Sequence, residues 1–270
     1  MTTRKILMLH GYAQSATIFS KRLGALRKAC GKDVDLVFVD APYVLTPVDM
    51  AFLNTLSNSS SLEDLGAPEA AAEQDPALAP RGWWKAQADR DQTAGLEESL
   101  AVLRDVLAKD HYDGVFGFSQ GAAMAAILAA LNYYRQLEKP AVHPPFLIDG
   151  QPPHPPLQFC VSVAGFRPRS PLVDTILLPS YSTRTLHVLG KTDVIVVEER
   201  SKPLLELSSN KRVEWHDGGH FVPSKAPWRN FIRGFLRDPS MSEPAPGAAA
   251  QTPSEPAHPT ASEGNNAGGP

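Results

Sequence analysis

The chain has 270 residues, and 26 Lys and Arg against 29 Asp and Glu leave a formal net charge of −3. Hydrophobic residues make up 43% and charged residues 20%, enough for a sizeable globular core, and the near-neutral balance offers no basic footprint for nucleic acid. No apolar run reaches the roughly 18 residues of a membrane span, and Cys30 and Cys160 are too few for a disulfide framework or a four-thiolate zinc site.

From the N-terminus, residues 5–9 form a short apolar run followed at once by His10-Gly11. Residues 6–9 are shorter than the core of a secretory signal, so the expected location is cytoplasmic. Phe19, Leu23, Leu26 and Cys30 recur at helical spacing, with Gly31 as a stop. Residues 35–39 form a second strand-like run that breaks at Pro42. The acidic, Ser- and Ala-rich stretch 46–81 reads as a lid. Leu96, Leu100, Leu103 and Leu107 mark another amphipathic helix, and residues 114–118 a third strand before an Ala-rich buried helix over 120–137. The Pro- and His-rich stretch 139–157 reads as a stiff surface loop.

Residues 158–164, 185–189 and 212–215 complete the strand candidates, whose near-continuous apolar character suggests a sheet covered on both faces. A helix over 201–208 places Pro203 in its first turn. Trp228, Phe231, Ile232 and Phe235 form the last apolar stripe. The alternation predicts an α/β fold, a doubly wound, mostly parallel sheet of about six strands with helices on both faces. Residues 1–237 form one domain, and residues 238–270, rich in Pro, Ala and Ser, form a tail too poor in apolar surface to order itself.

The strongest chemical signal is Gly117-Phe118-Ser119-Gln120-Gly121. Three fixed positions occur by chance in about a tenth of chains of this length, but a strand before and a helix after make the setting of a nucleophile elbow. A serine hydroxyl needs a base. His220, in Asp217-Gly218-Gly219-His220 past the last strand, suits that role better than His216 at the strand end or His10 in the first loop. The base needs a carboxylate. Asp193 follows the 185–189 strand and precedes His220, giving the order Ser119, Asp193, His220. Asp174, Glu198 and Glu199 are the alternatives, the two glutamates reading as a solvated helix start and Asp217 as a turn residue. Oxyanion donors would be the backbone N–H of Gln120 and that of Tyr12, although Tyr12 fits a pocket wall equally well.

Leu9-His10-Gly11-Tyr12, Gly24-Ala25-Leu26-Arg27-Lys28, Asp40-Ala41-Pro42, Arg81-Gly82-Trp83-Trp84, 117–121, 186–193 and Gly218-Gly219-His220 together resemble the serine hydrolase FSH family. That group lies within the α/β-hydrolase superfamily and takes in fungal esterases and the human ovarian cancer-associated gene 2 protein. The resemblance runs over residues 5–236. It implies Ser119, Asp193 and His220 as a triad and esterase or thioesterase activity on acyl chains, including release of polyketides in fungal secondary metabolism. The chain departs from the family at Ala13-Gln14-Ser15, where Arg-Gln-Asn is frequent, at Pro203 and in the Pro/His-rich loop.

The leading expectation is hydrolysis of carboxylic esters of apolar acyl chains, with no cofactor and no metal. Tyr43, Phe52, Leu53, Leu56, Trp83, Trp84, Phe166, Leu172, Ile176 and Leu177 are the expected walls. The rival is a thioesterase that takes its acyl chain from an acyl carrier protein, although no Lys/Arg run announces such a docking patch. A non-catalytic binding module on the same fold is the third reading. A metal hydrolase is disfavoured, since the histidines are scattered and lack helical ligand spacing.

Overall fold

The apolar runs become the strands of one parallel sheet in a computed structural model that describes residues 3–49, 75–85, 93–134 and 143–247. β1 (Arg4–Leu9) and β2 (Val34–Val39) pair along their length, while β3 (Tyr43–Val44) and β4 (Arg81–Gly82) form a separate antiparallel pair. β5 (Gly114–Phe118), β6 (Phe159–Val163), β7 (Arg184–Gly190) and β8 (Lys211–His216) complete a six-stranded sheet in the order β2-β1-β5-β6-β7-β8. The chain turns from β1 outward to β2 and then crosses to β5, so the order reverses between β1 and β5. Open α/β sheets bind their ligands in the crevice at the carboxyl ends of strands at such a point.

Alternate residues of each strand serve opposite layers, as a pleated backbone requires. Leu7, Leu9, Val115 and Cys160 face α3 (Leu96–Lys109), α4 (Gln120–Tyr134), α5 (Pro171–Leu177) and α6 (Glu198–Leu207). Ile6, Met8, Phe116, Val161 and Val188 face α1 (Ala16–Arg22), α2 (Gly24–Cys30) and α7 (Ala226–Arg237). The helical spacing of Leu96, Leu100, Leu103 and Leu107 buries all four. So does that of Trp228, Phe231, Ile232 and Phe235 in α7, each such side chain being worth about 1.5–3 kcal/mol when taken from water.

Several expectations change on contact with tertiary structure. The single helix expected around residues 19–30 is two, because Gly24 opens α2 while the Leu23 amide closes α1 on the Lys21 and Phe19 carbonyls. α6 starts three residues early, on an N-cap at Val197, so Pro203 lies inside it rather than in its first turn. Ile176 and Leu177, expected as pocket walls, are core side chains of α5 with no exposure. The described part of the Pro/His-rich stretch, residues 143–157, leads into the start of β6 and so lies at the sheet edge opposite Ser119. There Phe146 is buried, and His154 Nε2 accepts the Tyr112 amide at 2.8 Å. Of the expected lid, residues 50–74 lie outside the described residues, and with them Phe52, Leu53 and Leu56.

The domain boundary expected at Asp238 also moves. Arg212 of β8 donates to the Met241 carbonyl at 2.9 Å and to the Glu243 carbonyl, Met241 packs on the α7 layer, and Ala245 is buried. Residues 248–270 lie outside the described residues. A chain cut after Arg237 therefore melts lower than one cut after Gly247, by about 2–4 °C for each kcal/mol of lost contact; calorimetry of the two truncations measures the difference.

His10, just past β1, and His187 of β7 are buried without charge. Burial pushes His187 down to about 3 and His10 down to about 4 from the ordinary 6.5. Both folded values lie below the unfolded one, so below pH 6.5 the unfolded chain binds protons that the folded chain refuses. The stability they contribute is complete above pH 6.5 and is lost as the pH falls toward 4 and 3. The expected loss is about 1.4 kcal/mol per pH unit for each histidine, read as a fall in the urea midpoint between pH 7 and pH 5. His187→Leu should make that fall shallower.

Candidate active site

β5 delivers Ser119 into a turn that few side chains tolerate. Its φ is 54°, in the left-handed region. Its amide donates to the Val163 carbonyl of β6 at 2.9 Å, while its own carbonyl accepts the amides of Ala122 and Ala123, the first turn of α4. The flanking glycines are obligatory for packing. A Cβ on Gly117 would stand 2.1 Å from the Gly121 carbonyl oxygen, and one on Gly121 would stand 2.2 Å from that of Leu9 and 2.4 Å from that of His10. Strand, helix and first loop therefore meet backbone to backbone, and Ser119 sits where α4 begins and its dipole is positive.

His220 and Asp193 come to that hydroxyl from the ends of β8 and β7. His220 Nε2 lies 2.9 Å from Ser119 Oγ, and His220 Nδ1 lies 2.7 Å from Asp193 Oδ2. Asp193 Oδ1 accepts the amides of Ile195 and Val196 at 2.9 and 2.8 Å, which fixes the carboxylate and leaves its other oxygen for the imidazole. Ser119, His220 and Asp193 are 5%, 3% and 6% exposed, so the pair is sheltered from competing water. Bonded in this way, the imidazole presents a lone pair to the serine hydroxyl.

The rival residues stand elsewhere. His216 is buried edge-on to Trp228 at 5.9 Å and accepts the Gly218 amide, and burial lowers its pKa. Asp217 is exposed and pairs with Lys191. Asp174 holds Arg167 at 2.5 Å. Glu198 and Glu199 occupy the first turn of α6 in solvent. His10 is a structural post: Ala41 donates its amide to Nε2, so Nδ1 carries the proton and donates to the Gly11 carbonyl at 2.8 Å.

The first loop is held by polar side chains. Gln14 Oε1 accepts the Gly11 amide at 3.1 Å, and the Ala13 amide donates to the Arg81 carbonyl at 2.9 Å. The Tyr12 amide lies between those two tied amides, its ring against Gly82 and its hydroxyl donating to the Asp49 carbonyl. Ser15, which stands where the family often has Asn, still caps α1 by accepting the Ile18 amide. Gln120, as first residue of α4, has an amide N–H among those that a helix leaves without an intrahelical carbonyl.

Its side chain has a role that the sequence did not disclose. Gln120 Oε1 accepts the Trp83 amide at 2.7 Å, and its Nε2 donates to the Trp84 carbonyl at 2.9 Å. Trp83 also donates its indole N–H to the His10 carbonyl, and Ser99 of α3 donates to the Trp83 carbonyl. The partners of Gln120 lie 36 and 37 residues away, so no local spacing signals the clip. Gln14 was visible only as the central residue of the family's Arg-Gln-Asn.

The expected walls divide. Trp83 has no exposure and belongs to this frame, whereas Trp84 meets half-buried Phe166 edge-on at 6.2 Å. Tyr43 is half-buried with its ring over Gly95, which opens α3 at φ 94°. Leu172 is partly buried against the core. Exposed Val194, Val197 and Phe221, which sequence reading did not single out, stand beside Asp193 and His220 in the chain. Among the described residues, no three His, Cys, Asp or Glu side chains gather in a metal-binding group.

Comparison with known proteins places the chain in a family. The model of the serine hydrolase (FSH1) family matches residues 1–232. Esterase OVCA2 of Danio rerio is 32% identical over 250 residues, covering 86% of this chain and 96% of its own length. A Schizosaccharomyces pombe protein named dihydrofolate reductase is 33% identical over 246 residues, 89% of this chain but 48% of that protein, so the chain spans about half of that relative. Among solved structures, acyl-protein thioesterase 2 of Zea mays superposes with a TM-score of 0.53 at 20% identity, over 87% of this chain and 93% of its own. That likeness is one of fold, the α/β-hydrolase sheet. The chain belongs to the serine hydrolase (FSH1) family.

Proposed function

We propose that this chain is a serine esterase that cleaves carboxylic esters of apolar acyl chains through an acyl-enzyme. The observation that carries the reading is the continuous hydrogen-bonded line from Ser119 Oγ through His220 to Asp193, 2.9 and 2.7 Å long, starting from a strained serine at a helix N-terminus. Ser119 Oγ attacks the ester carbonyl carbon while its proton passes to His220 Nε2. Asp193 holds the Nδ1 proton in place and stabilises the imidazolium that forms. The amides of Gln120 and Tyr12 receive the oxyanion, a contribution of roughly a hundred- to a thousandfold in rate per donor. His220 returns the proton to the departing alcohol oxygen, and water, deprotonated by the same imidazole, releases the acid and restores Ser119.

An apolar acyl chain is supported by the apolar side chains of the segments that carry the site: Trp84, whose carbonyl Gln120 holds, meets Phe166 edge-on, and Val194, Val197 and Phe221, near Asp193 and His220 in the chain, offer apolar surface to water. Exposed apolar side chains beside a nucleophile gain from covering by a chain that is itself apolar. The buried thiols of Cys30 and Cys160 are both free, which suits a reducing, cytoplasmic setting.

Ser119→Ala should abolish hydrolysis of p-nitrophenyl acyl esters and labelling by a fluorophosphonate probe while the melting temperature holds; labelling that persists would refute the nucleophile. Asp193→Asn should lower kcat by about four orders of magnitude, the cost of the wrong imidazole tautomer, whereas Glu198→Gln should leave it near wild type. In a chain-length series of esters and matching thioesters, kcat/KM should rise as the acyl chain lengthens. A flat series would count against the apolar site.

A further inference from the structure

A second feature of the catalytic edge is charged. The loop from β6 to α5 leaves the sheet beside Ser119, turning at Ala164 with φ 51°. Beyond Phe166 it carries Arg167 and Arg169, which with Ser170, Pro171, Asp174 and Pro203 line a cavity of about 580 Å³. Arg200 arrives from α6, which follows the Asp193 loop. Its guanidinium lies 4.0 Å from the centre of the Phe166 ring, and its NH1 donates to the Ile195 carbonyl at 3.0 Å. Arg200 thus ties the segment after Asp193 to the wall formed by Phe166 and Trp84. Arg167 is held by Asp174 at 2.5 Å.

Two segments that are far apart in the chain thus meet: Arg167 and Arg169 line one cavity with Pro203 of α6, and Arg200, three residues before Pro203, lies on the Phe166 ring next to Arg167 in the chain. No Lys/Arg run in the sequence announces this patch. Guanidinium forks match carboxylate and phosphate oxygens in geometry and keep their charge at any physiological pH. An aromatic face under Arg200 adds a cation–π contact that orients it. The carboxylate of Asp174 orients Arg167, and the acidic pair Glu198 and Glu199 directly precedes Arg200 on α6, in solvent.

We propose that Arg167, Arg169 and Arg200 bind an anionic group, a carboxylate or a phosphate, carried by the substrate at a distance from the scissile bond. This rests on the esterase reading above and narrows its substrate class. The anion has two sources, the far end of the acyl chain or the leaving group, and the test separates them.

Wild-type protein, Arg169→Gln and Arg200→Met are compared on four substrates of similar acyl length. Two are anionic: the mono-p-nitrophenyl ester of glutaric acid, with its charge on the acyl end, and butyryl-coenzyme A, with its charge on the leaving group; two are neutral: p-nitrophenyl butyrate and the S-butyryl thioester of N-acetylcysteamine. In wild type, the ratio of kcat/KM for one anionic substrate to that for its neutral partner, p-nitrophenyl butyrate or the S-butyryl thioester of N-acetylcysteamine, should exceed one and fall as salt is raised. Each substitution should cut that ratio roughly ten- to a hundredfold, the worth of one charge-assisted hydrogen bond, mainly through KM and with the melting temperature retained. A glutarate advantage assigns the anion to the acyl chain; a coenzyme A advantage assigns it to the leaving group. A ratio near one for both, or an advantage that survives both substitutions, overturns the proposal. Absence of any turnover that depends on Ser119 would instead overturn the esterase reading itself.

Discussion

The backbone contact at Gly117 and Gly121 is the constraint on which the candidate active site depends. With no side chain at either position, α4 starts directly above β5 and presses against the carbonyl oxygens of Leu9 and His10. That closeness forces Ser119 into a left-handed turn, and the turn is stabilised by what it reaches: the Val163 carbonyl on one side and the first amides of α4 on the other. One steric fact therefore sets three things at once. It lifts the hydroxyl above the sheet, puts it at a helix N-terminus, and brings the loop after β1 alongside.

Around that contact the loops are joined by buried polar side chains rather than by regular structure. β4 is only two residues long, yet the chain from Arg81 to Trp84 bonds to the first loop, to Gln120 and to Ser99. A buried polar group that loses its partner costs on the order of 1–3 kcal/mol, so such a network holds its members in one arrangement. The reach of this network holds the first loop, which has no strand or helix of its own around Tyr12, beside the start of α4.

The histidines show how environment sorts a residue type. His10 and His187 are sealed in the fold, and burial keeps them neutral; His216 is packed against Trp228. Among the described histidines, His220 alone meets both a hydroxyl and a fixed carboxylate. Arginine is sorted in the same way: Arg200 lies over the Phe166 ring while Arg167 pairs with Asp174.

Much of this was legible in order and periodicity. Six apolar runs foretold six strands because a parallel sheet buries both faces of each strand, and the pattern Ser119, Asp193, His220 was readable because each residue follows a strand and so falls on one edge. Element ends were less legible. Gly24 divides a helix that hydrophobic spacing draws as one, and Pro203 lies inside a helix that its own preference would begin, since packing of Leu204 and Leu207 outweighs local propensity. Only the tertiary structure decided that Gln120 clips Trp83 and Trp84, that Ile176 and Leu177 are core, and that Arg200 lies on Phe166. Each of these is a meeting of segments far apart in the chain, and periodicity reports which way a side chain faces without reporting what it will find there.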